Sequence, residues 1–482
     1  MGSNRGMSEH HDFSQLPLSP AMLQNLQRLG YERMTAIQAA SLPHALLGRD
    51  LIAQAQTGSG KTAAFALPLL TNLNPRRFAV QALVLCPTRE LADQVSMEIR
   101  RLARAEDNIK LVTLCGGVPL RGQAASLEHG AHIVVGTPGR VMDHLDRGSL
   151  NLEALNTWVL DEADRMLDMG FYDDIVRVAQ RCPAQRQTLL FSATYPEGIA
   201  KLAERFMREP QTIRVEATAS AGRIHQRFYE VQDSERLHAV GQLLRHFRPA
   251  SALAFCNTKQ QCRDLAAVLQ AEGFSALTLF GELEQRERDQ VLLQFANRSA
   301  TVLVATDVAA RGLDISSLAA VINVDVTADA EVHVHRIGRT GRLGQSGAGE
   351  AEEGLALSLA SLDEMGRVGR IEQLIGQVVT WGALDELRDA PGGPLLPPMQ
   401  TLQIQGGRKE KIRAGDVLGA LTADLGLSRD DVGKINVNDF STYVAVRREL
   451  APQTAARLNA GRIKGKSVKV RLLTGQDSLE QD

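Results

Sequence analysis

Long apolar runs are missing from this sequence: no stretch approaches the roughly 18 residues that would span a bilayer, and the opening MGSNRGMSEHH lacks the apolar core of a secretion signal. A soluble, unexported, cytoplasmic protein is the expectation. Cysteines are scarce, odd in number and never spaced as CxxC. Cys86, Cys115, Cys182, Cys256 and Cys262 therefore argue against a disulfide scaffold or a thiolate zinc site, and for small apolar side chains packed in a reducing compartment. Net charge is nearly absent as well, with 54 basic against 56 acidic residues. Apolar residues at 44% and charged residues at 23% exclude wholesale disorder and collagen-like or mucin-like chains. What the sequence does have is length: 482 residues, at roughly 100 to 200 per domain, predict about three domains.

The balanced total hides an asymmetry. Residues 401–475 carry 14 Lys+Arg against 7 Asp+Glu, a net of +7 that leaves −9 for the rest, so one end is a basic module suited to a polyanion. Residues 1–12 are set aside as a tail, with Met1–Gly6 resembling an expression remnant. From Leu51 to about Val215, the short apolar runs LIAQA, ALVLC, IKLVTLC, HIVVG, WVLDEAD and QTLLFSAT alternate with helix-like segments. Near-continuous apolar strands each followed by a helix predict an α/β fold whose parallel sheet is covered on both faces, over residues 13–216. After a linker at 217–226 the pattern repeats over 227–375 with FYEVQ, SALAFCN, SALTLFG, TVLVATD and AVINVD. A second linker, 376–398, contains the Pro/Gly-dense DAPGGPLLPP. Residues 399–475 then predict a small α+β domain in βαββαβ order, the split βαβ plan of RNA-recognition motifs, with a tail at 476–482.

Directly after LIAQA comes AQTGSGKT, which fits the G-x-x-x-x-G-K-[ST] phosphate loop only loosely, because Ala55 holds the first glycine position. Its spacing still places the amides of Gln56, Thr57, Gly58, Ser59 and Gly60 and a helix N-terminus around a phosphate. Lys61 then faces the β/γ-phosphates and the Thr62 hydroxyl faces magnesium. About 100 residues on, WVLDEAD ends a strand with Asp161 and Glu162. The first carboxylate can hold Mg²⁺ and the second can polarise the attacking water. Either element alone could be a turn; together they predict an NTPase.

With those residues in place the chain resembles the DEAD-box RNA helicases over nearly all of residues 13–375, and this implies two tandem RecA-like domains. Phe13, Gly30-Tyr31, Thr35 and Gln38 resemble the family's Q motif, which implies that the glutamine hydrogen-bonds adenine, that an aromatic packs nearby, and that ATP is the nucleotide. The A-x-T-G-x-G-K-T loop is the family's usual form. Pro87, Thr88 and Arg89, Gly116-Gly117, and Thr137, Pro138, Gly139 and Arg140 resemble the first domain's RNA contacts, suited to holding phosphates while leaving bases unread. Ser192 and Thr194 of SAT resemble the motif that couples hydrolysis to strand separation. The second domain has no phosphate loop, so one ATP is expected between the two domains. HRIGRTGR there implies coupling roles for His335 and Arg336 and arginine fingers at Arg339 and Arg342, whose other reading is a solvated helix face. ATDVAARGLDI implies Thr306 toward RNA, Asp307 toward the ribose, and Arg311 and Asp314 near the interdomain surface. FCNT with Thr258, and Gln285 with Arg288, resemble the remaining RNA motifs. A short acidic insertion near residues 348–354 departs from the pattern and is expected to be a surface loop.

The strings LQIQGGRKEKIRAGDVLGAL and GKINVNDFSTYVAV resemble the C-terminal RNA-binding domain of the DbpA-type bacterial helicases, which implies docking on large-subunit (23S) ribosomal RNA during ribosome assembly. Aligning Tyr443 with the central aromatic of the RNA-binding strand leaves Ser441 and Val446 where stacking aromatics would stand, so the sheet makes a poor stacking platform. Basic groups including Arg408, Lys409, Lys411, Arg447, Arg448, Lys464 and Lys466 are the expected contacts. The implied activity is a monomeric ATP- and Mg²⁺-dependent RNA helicase that separates duplexes locally. A DNA helicase and an ATP-gated RNA clamp or remodelling scaffold are the rival readings.

Overall fold

The computed structural model describes residues 12–55, 59–106, 108–215, 224–310, 318–341, 353–387 and 393–473. Two compact units partition the chain, one made mainly of residues 1–220 and the other mainly of 221–482. The first holds one lobe; the second holds another lobe and the small C-terminal domain.

In the first lobe, seven parallel strands, β1 (Leu51–Gln54), β2 (Ala82–Leu85), β3 (Leu111–Leu114), β4 (Ile133–Gly136), β5 (Thr157–Leu160), β6 (Gln187–Ser192) and β7 (Gln211–Arg214), lie in the order β3-β4-β2-β5-β6-β1-β7. The apolar runs are continuous because alternate residues feed different faces. Ala82 and Val84 join one core with Phe65 and Ile99, while Leu83 and Leu85 join the other with Trp158 and Ile175. Strand β6 is split the same way, with Leu189 and Phe191 on one side and Leu190 on the other. A slip of one residue would exchange the faces, so register is strongly fixed. The helix Arg89–Leu102 shows the helical counterpart: Thr88 Oγ accepts from the Leu91 amide at its start, and Ala92, Val95, Ile99 and Leu102 bury one stripe.

The second lobe repeats the design with β8 (Ile224–Glu230), β9 (Ala252–Cys256), β10 (Ala276–Leu279), β11 (Val302–Thr306), β12 (Ala320–Asn323), β13 (Gly354–Ala360) and β14 (Trp381–Gly382), ordered β10-β11-β9-β12-β13-β8-β14. Strands β7 and β14 were not foreseen. Each is an edge strand, Gln-Thr-Ile-Arg and Trp-Gly, with too little apolar sequence to show itself and defined only by its neighbour β1 or β8. Strand β8 starts at Ile224, inside the segment expected to be linker.

The C-terminal domain is an antiparallel sheet of β15 (Met399–Gln405), β16 (Val432–Val437), β17 (Ser441–Arg447) and β18 (Val470–Leu472) in the order β16-β17-β15-β18. Its core of Leu402, Ile404, Val444, Val446, Leu421 and Leu458 lies beneath one sheet face. The helix expected from Asp416 begins at Ala414 and widens after Gly419 into a π turn, where the Leu425 amide reaches the Ala420 carbonyl at 3.0 Å. Among the described residues no helix is long and apolar enough to cross a membrane.

Candidate active site and RNA interface

Strand order divides the first lobe's carboxyl edge in two, the edge where open parallel sheets bind ligands. The phosphate loop, the acidic pair and SAT follow β1, β5 and β6, which are neighbours. Pro87, Gly116-Gly117 and Thr137 follow β2, β3 and β4, also neighbours. The sheet therefore gathers the nucleotide residues on one half and the expected RNA residues on the other.

On the nucleotide half, Gly60 caps the helix Lys61–Thr71 in the left-handed region at φ +91°. A Cβ there would sit 2.6 Å from Gln38 Nε2 and 3.0 Å from Thr35 Oγ, so glycine is required by conformation and by space. Thr35 and Gln38 form a reciprocal capping box on the helix Ala36–Ala45, and Gln38 Nε2 donates to the Gly60 carbonyl at 3.0 Å. The glutamine expected to recognise adenine thus also fixes the phosphate loop. Phe13 is only 4% exposed and meets Tyr31 edge-on at 6.0 Å, and the Tyr31 hydroxyl donates to Glu98 at 2.5 Å. The aromatic pair props the Q-motif segment. Ser59 and Thr62 stand beside Gly60 and Lys61; Gln56, Thr57 and Gly58 lie outside the described residues.

Lys61 is buried, yet its Nζ has no hydrogen-bond partner among the described residues, and neither has Oδ1 of buried Asp161. Burial pushes the Asp161 carboxyl up to about 7; Lys61 opposes the rise and Glu162 adds to it. A buried ammonium and a carboxylate oxygen that make no hydrogen bond among the described residues, and are offset only by neighbouring charge, mark a binding site for groups of opposite charge. Glu162 takes a left-handed backbone, φ 52°, where it starts the helix Ala163–Asp168, and its carboxylate pairs with Arg165. Asp164, which the sequence reading left unassigned, carries a large share of the site's order. Its Oδ2 accepts from the amides of Ala193 and Thr194 at 3.0 and 2.8 Å and from the Thr194 hydroxyl at 2.9 Å, while its own amide donates to Ser192 Oγ at 3.2 Å. Burial would raise its pKa, but the Thr194 amide, Lys61 and the Thr194 hydroxyl outweigh that and hold it below the usual carboxylate value. The signal was the final acid of Asp-Glu-Ala-Asp, one helical turn after Asp161.

On the other half, Thr88 and Thr137 begin the helices Arg89–Leu102 and Pro138–Asp146. Arg140 draws the Gly116-Gly117 loop to the second of these, donating to the Val118 carbonyl at 2.9 Å and to Gln123 at 2.8 Å. Arg89 lies 3.8 Å from Asp93.

In the second lobe, Thr258, Arg288 and Thr306 follow the neighbouring strands β9, β10 and β11 or end one of them. Thr258 caps its helix through the Gln261 amide, and Arg288 donates to the Ala309 carbonyl at 2.7 Å. The solvated-face reading fails for Arg336 and Arg339, which are 2% and 5% exposed, while His335 is exposed. Arg336 grips the Asp307 carboxylate with two bonds of 2.7 Å, donates to the Asp325 carbonyl at 2.9 Å and lies over the Phe255 ring at 5.0 Å. The Asp307 carboxylate, expected toward the ribose, is partly exposed and accepts both of these bonds from buried Arg336. Arg311, Asp314 and Arg342 lie outside the described residues, as does nearly all of the acidic insertion.

In the C-terminal domain Arg408, Lys411, Arg413 and Lys464 ring a groove of about 740 Å³ floored by Ile412, Ile435 and Val437. Lys464 Nζ donates to the Lys411 carbonyl at 2.9 Å, and Lys466 Nζ to that of Glu410 at 2.8 Å, which ties the two basic loops together; Lys409 is exposed beside them. Arg447 and Arg448 do not line this groove: Arg447 pairs with Asp431 at 2.6 Å, and Arg448 bonds Gln400 at 3.3 Å. The sheet face opposite the core is covered at its centre, at Thr401, Gln403, Tyr443 and Ala445. Tyr443 is 4% exposed, and its hydroxyl accepts from Gln290 of the second lobe and from Gln403, each at 3.2 Å. Thr401 Oγ meets Ser299 at 2.7 Å and Asn297 at 3.3 Å. The polar sheet face is thereby matched to the second lobe, and Tyr443 is unavailable for base stacking.

Fold and site together define a nucleoside triphosphatase with an appended basic RNA-recognition-type module. Residues 35–202 match the model for DEAD/DEAH box helicases, 235–344 the helicase conserved C-terminal domain, and 401–472 the DbpA RNA binding domain. The chain is 52% identical over 456 residues to the ATP-dependent RNA helicase DbpA of Escherichia coli (strain K12), covering 95% of this chain and 98% of that one. It is 43% identical over 362 residues to the DEAD-box ATP-dependent RNA helicase CshA of Geobacillus kaustophilus, covering 75% and 76%. Among solved structures, S. cerevisiae Dbp5 bound to RNA and ADP BeF3 superposes with a TM-score of 0.68 at 30% identity, over 78% of this chain and 96% of that one. The chain belongs to the DEAD-box ATP-dependent RNA helicases, of the DbpA type, and is an RNA-dependent ATPase.

Proposed function

We infer that this helicase separates RNA duplexes locally and is directed by its C-terminal domain to large-subunit ribosomal RNA during ribosome assembly, acting in the cytoplasm as a monomer. The observation that carries the targeting is the groove of Arg408, Lys411, Arg413 and Lys464, which offers cations over an apolar floor while Tyr443 at the centre of the sheet is buried. Cations at the mouth of an apolar cleft suit a structured RNA, where phosphates are neutralised and a splayed base is sheltered.

In the first lobe, Lys61 binds the β/γ-phosphates, and Thr62 with Asp161 holds Mg²⁺. The two buried atoms without hydrogen-bond partners among the described residues, Lys61 Nζ and Asp161 Oδ1, fit a phosphate and a divalent cation. The metal, when bound, neutralises charge on the phosphate oxygens. Glu162 polarises the attacking water, Asp164 ties its turn to Ser192 and Thr194, and Arg339 and Arg342 stabilise charge on the transferring phosphoryl group.

The test keeps the chain whole, because deleting the C-terminal domain would strip the cover from Gln290, Asn297 and Ser299. Arg408→Glu with Lys411→Glu and Lys464→Glu is expected to leave stimulation by arbitrary single-stranded RNA within about 2-fold while abolishing the preference for 23S rRNA fragments. Equal stimulation of the unaltered protein by both RNAs would refute the targeting. A preference that survives the triple reversal would refute the groove.

A further inference from the structure

Three acids crowd the turn after β5, and the structure compensates each differently. Asp164 is satisfied by the amides and hydroxyl of the SAT segment. Asp161 has Lys61 as its nearby cation. Glu162 has Arg165: its Oε2 accepts from Arg165 Nη1, with the two side chains 7% and 14% exposed. The pairing is dictated locally. Glu162 begins the helix Ala163–Asp168, Arg165 lies three residues on, and that spacing brings the side chains to one face. The neighbouring Met166 is fully buried and the Arg165 amide donates to Asp164 at 3.0 Å, so the guanidinium is carried by an anchored turn.

A carboxylate that polarises water must present one oxygen in a fixed direction, and a glutamate has three side-chain torsions to restrain. A guanidinium bound to Oε2 in a nearly dry site removes that freedom. We propose that Arg165 is a positioning residue for ATP hydrolysis, holding Glu162 by Oε2 so that the carboxylate keeps one orientation toward the attacking water. The inference rests on the reading of Glu162 as the water-polarising group.

The test uses the full chain with saturating RNA. Arg165→Met is expected to lower kcat about 10- to 100-fold, to leave the affinity for a fluorescent ADP within about 2-fold, and to be rescued to within about 3-fold of wild type by Arg165→Lys. In a Glu162→Gln background, Arg165→Met should cost nothing further, because the group it positions is gone. A binding readout separates positioning from general damage. Tetrafluoroaluminate with ADP mimics the phosphoryl group under attack by water, so the tightening of nucleotide binding that it produces should be largely lost in Arg165→Met while binding of ADP alone is kept. Undiminished kcat in Arg165→Met, equal losses with and without Glu162, or parallel loss of ADP affinity would each overturn the proposal. Wild-type turnover in Glu162→Gln would instead overturn the reading of Glu162 itself, so the two failures are distinguishable.

Discussion

The two lobes share seven-stranded parallel sheets and place polar residues at the same carboxyl edge, yet they treat buried charge in opposite ways. In the first, Lys61 Nζ and Asp161 Oδ1 are enclosed without hydrogen-bond partners among the described residues. In the second, Arg336 is enclosed with Asp307, Asn257, Asn323 and the Asp325 carbonyl around it. A group desolvated without a partner costs free energy that only a ligand recovers, so the first lobe stores affinity for a nucleotide. A group desolvated with partners is internally balanced, so the second lobe stores shape. One architecture thus yields a binding site or a scaffold according to where the compensating charges lie.

Four changes probe that contrast. Arg336→Ala leaves Asp307 and two asparagines without their donor, and should destabilise the second lobe by about 3–5 kcal/mol in urea unfolding; a loss below about 1 kcal/mol would remove the distinction between the lobes. Lys61→Ala should do the reverse, weakening nucleotide binding by at least about 100-fold in a fluorescence titration while changing unfolding free energy by less than Arg336→Ala does, because among the described residues its Nζ makes no hydrogen bond and only the charges of Asp161 and Asp164 lose a neighbouring cation. Gly60→Ala forces a left-handed residue and drives a methyl against Gln38, and about 10-fold weaker ATP binding is expected from equilibrium titration.

The smallest effect concerns His333, whose pKa is lowered to about 4 by burial first and by Arg336 second. Because its folded pKa lies below its unfolded value of about 6.5, its contribution is fully present above that value and is lost as pH falls toward 4. The second lobe should lose about 1 kcal/mol between pH 6.5 and 5.5, and His333→Gln should flatten that slope in unfolding measured across the range.

Much of this was legible in the chain because nucleotide chemistry is written in short local strings. Lys61 and Thr62 follow the loop glycines directly, and Asp161 with Glu162 closes an apolar strand, so backbone geometry alone sets their neighbourhood. Edge strands β7 and β14 escaped notice because their residues are defined by a pairing partner and not by apolar periodicity. The pairing of Asp307 with Arg336, 29 residues on, was not legible, because nothing near Asp307 in sequence shows which cation takes its carboxylate oxygens. The limited stacking capacity of the C-terminal sheet was evident from Ser441; Val446, which the alignment also set on that surface, faces the core instead. Its covering by Gln290 and Ser299 was not, since those residues lie more than 100 positions from their partners Tyr443 and Thr401.

The order and spacing of residues along the chain determined the class of chemistry, the number of domains and which side chains can reach a phosphate, because each rests on groups a few bonds apart. Tertiary structure decided which buried polar groups are left for a ligand and which are already taken. That outcome depends on partners brought together only when the sheets close, and the free energy of a buried charge is set by whatever lies within a few ångströms of it in space, however remote along the chain.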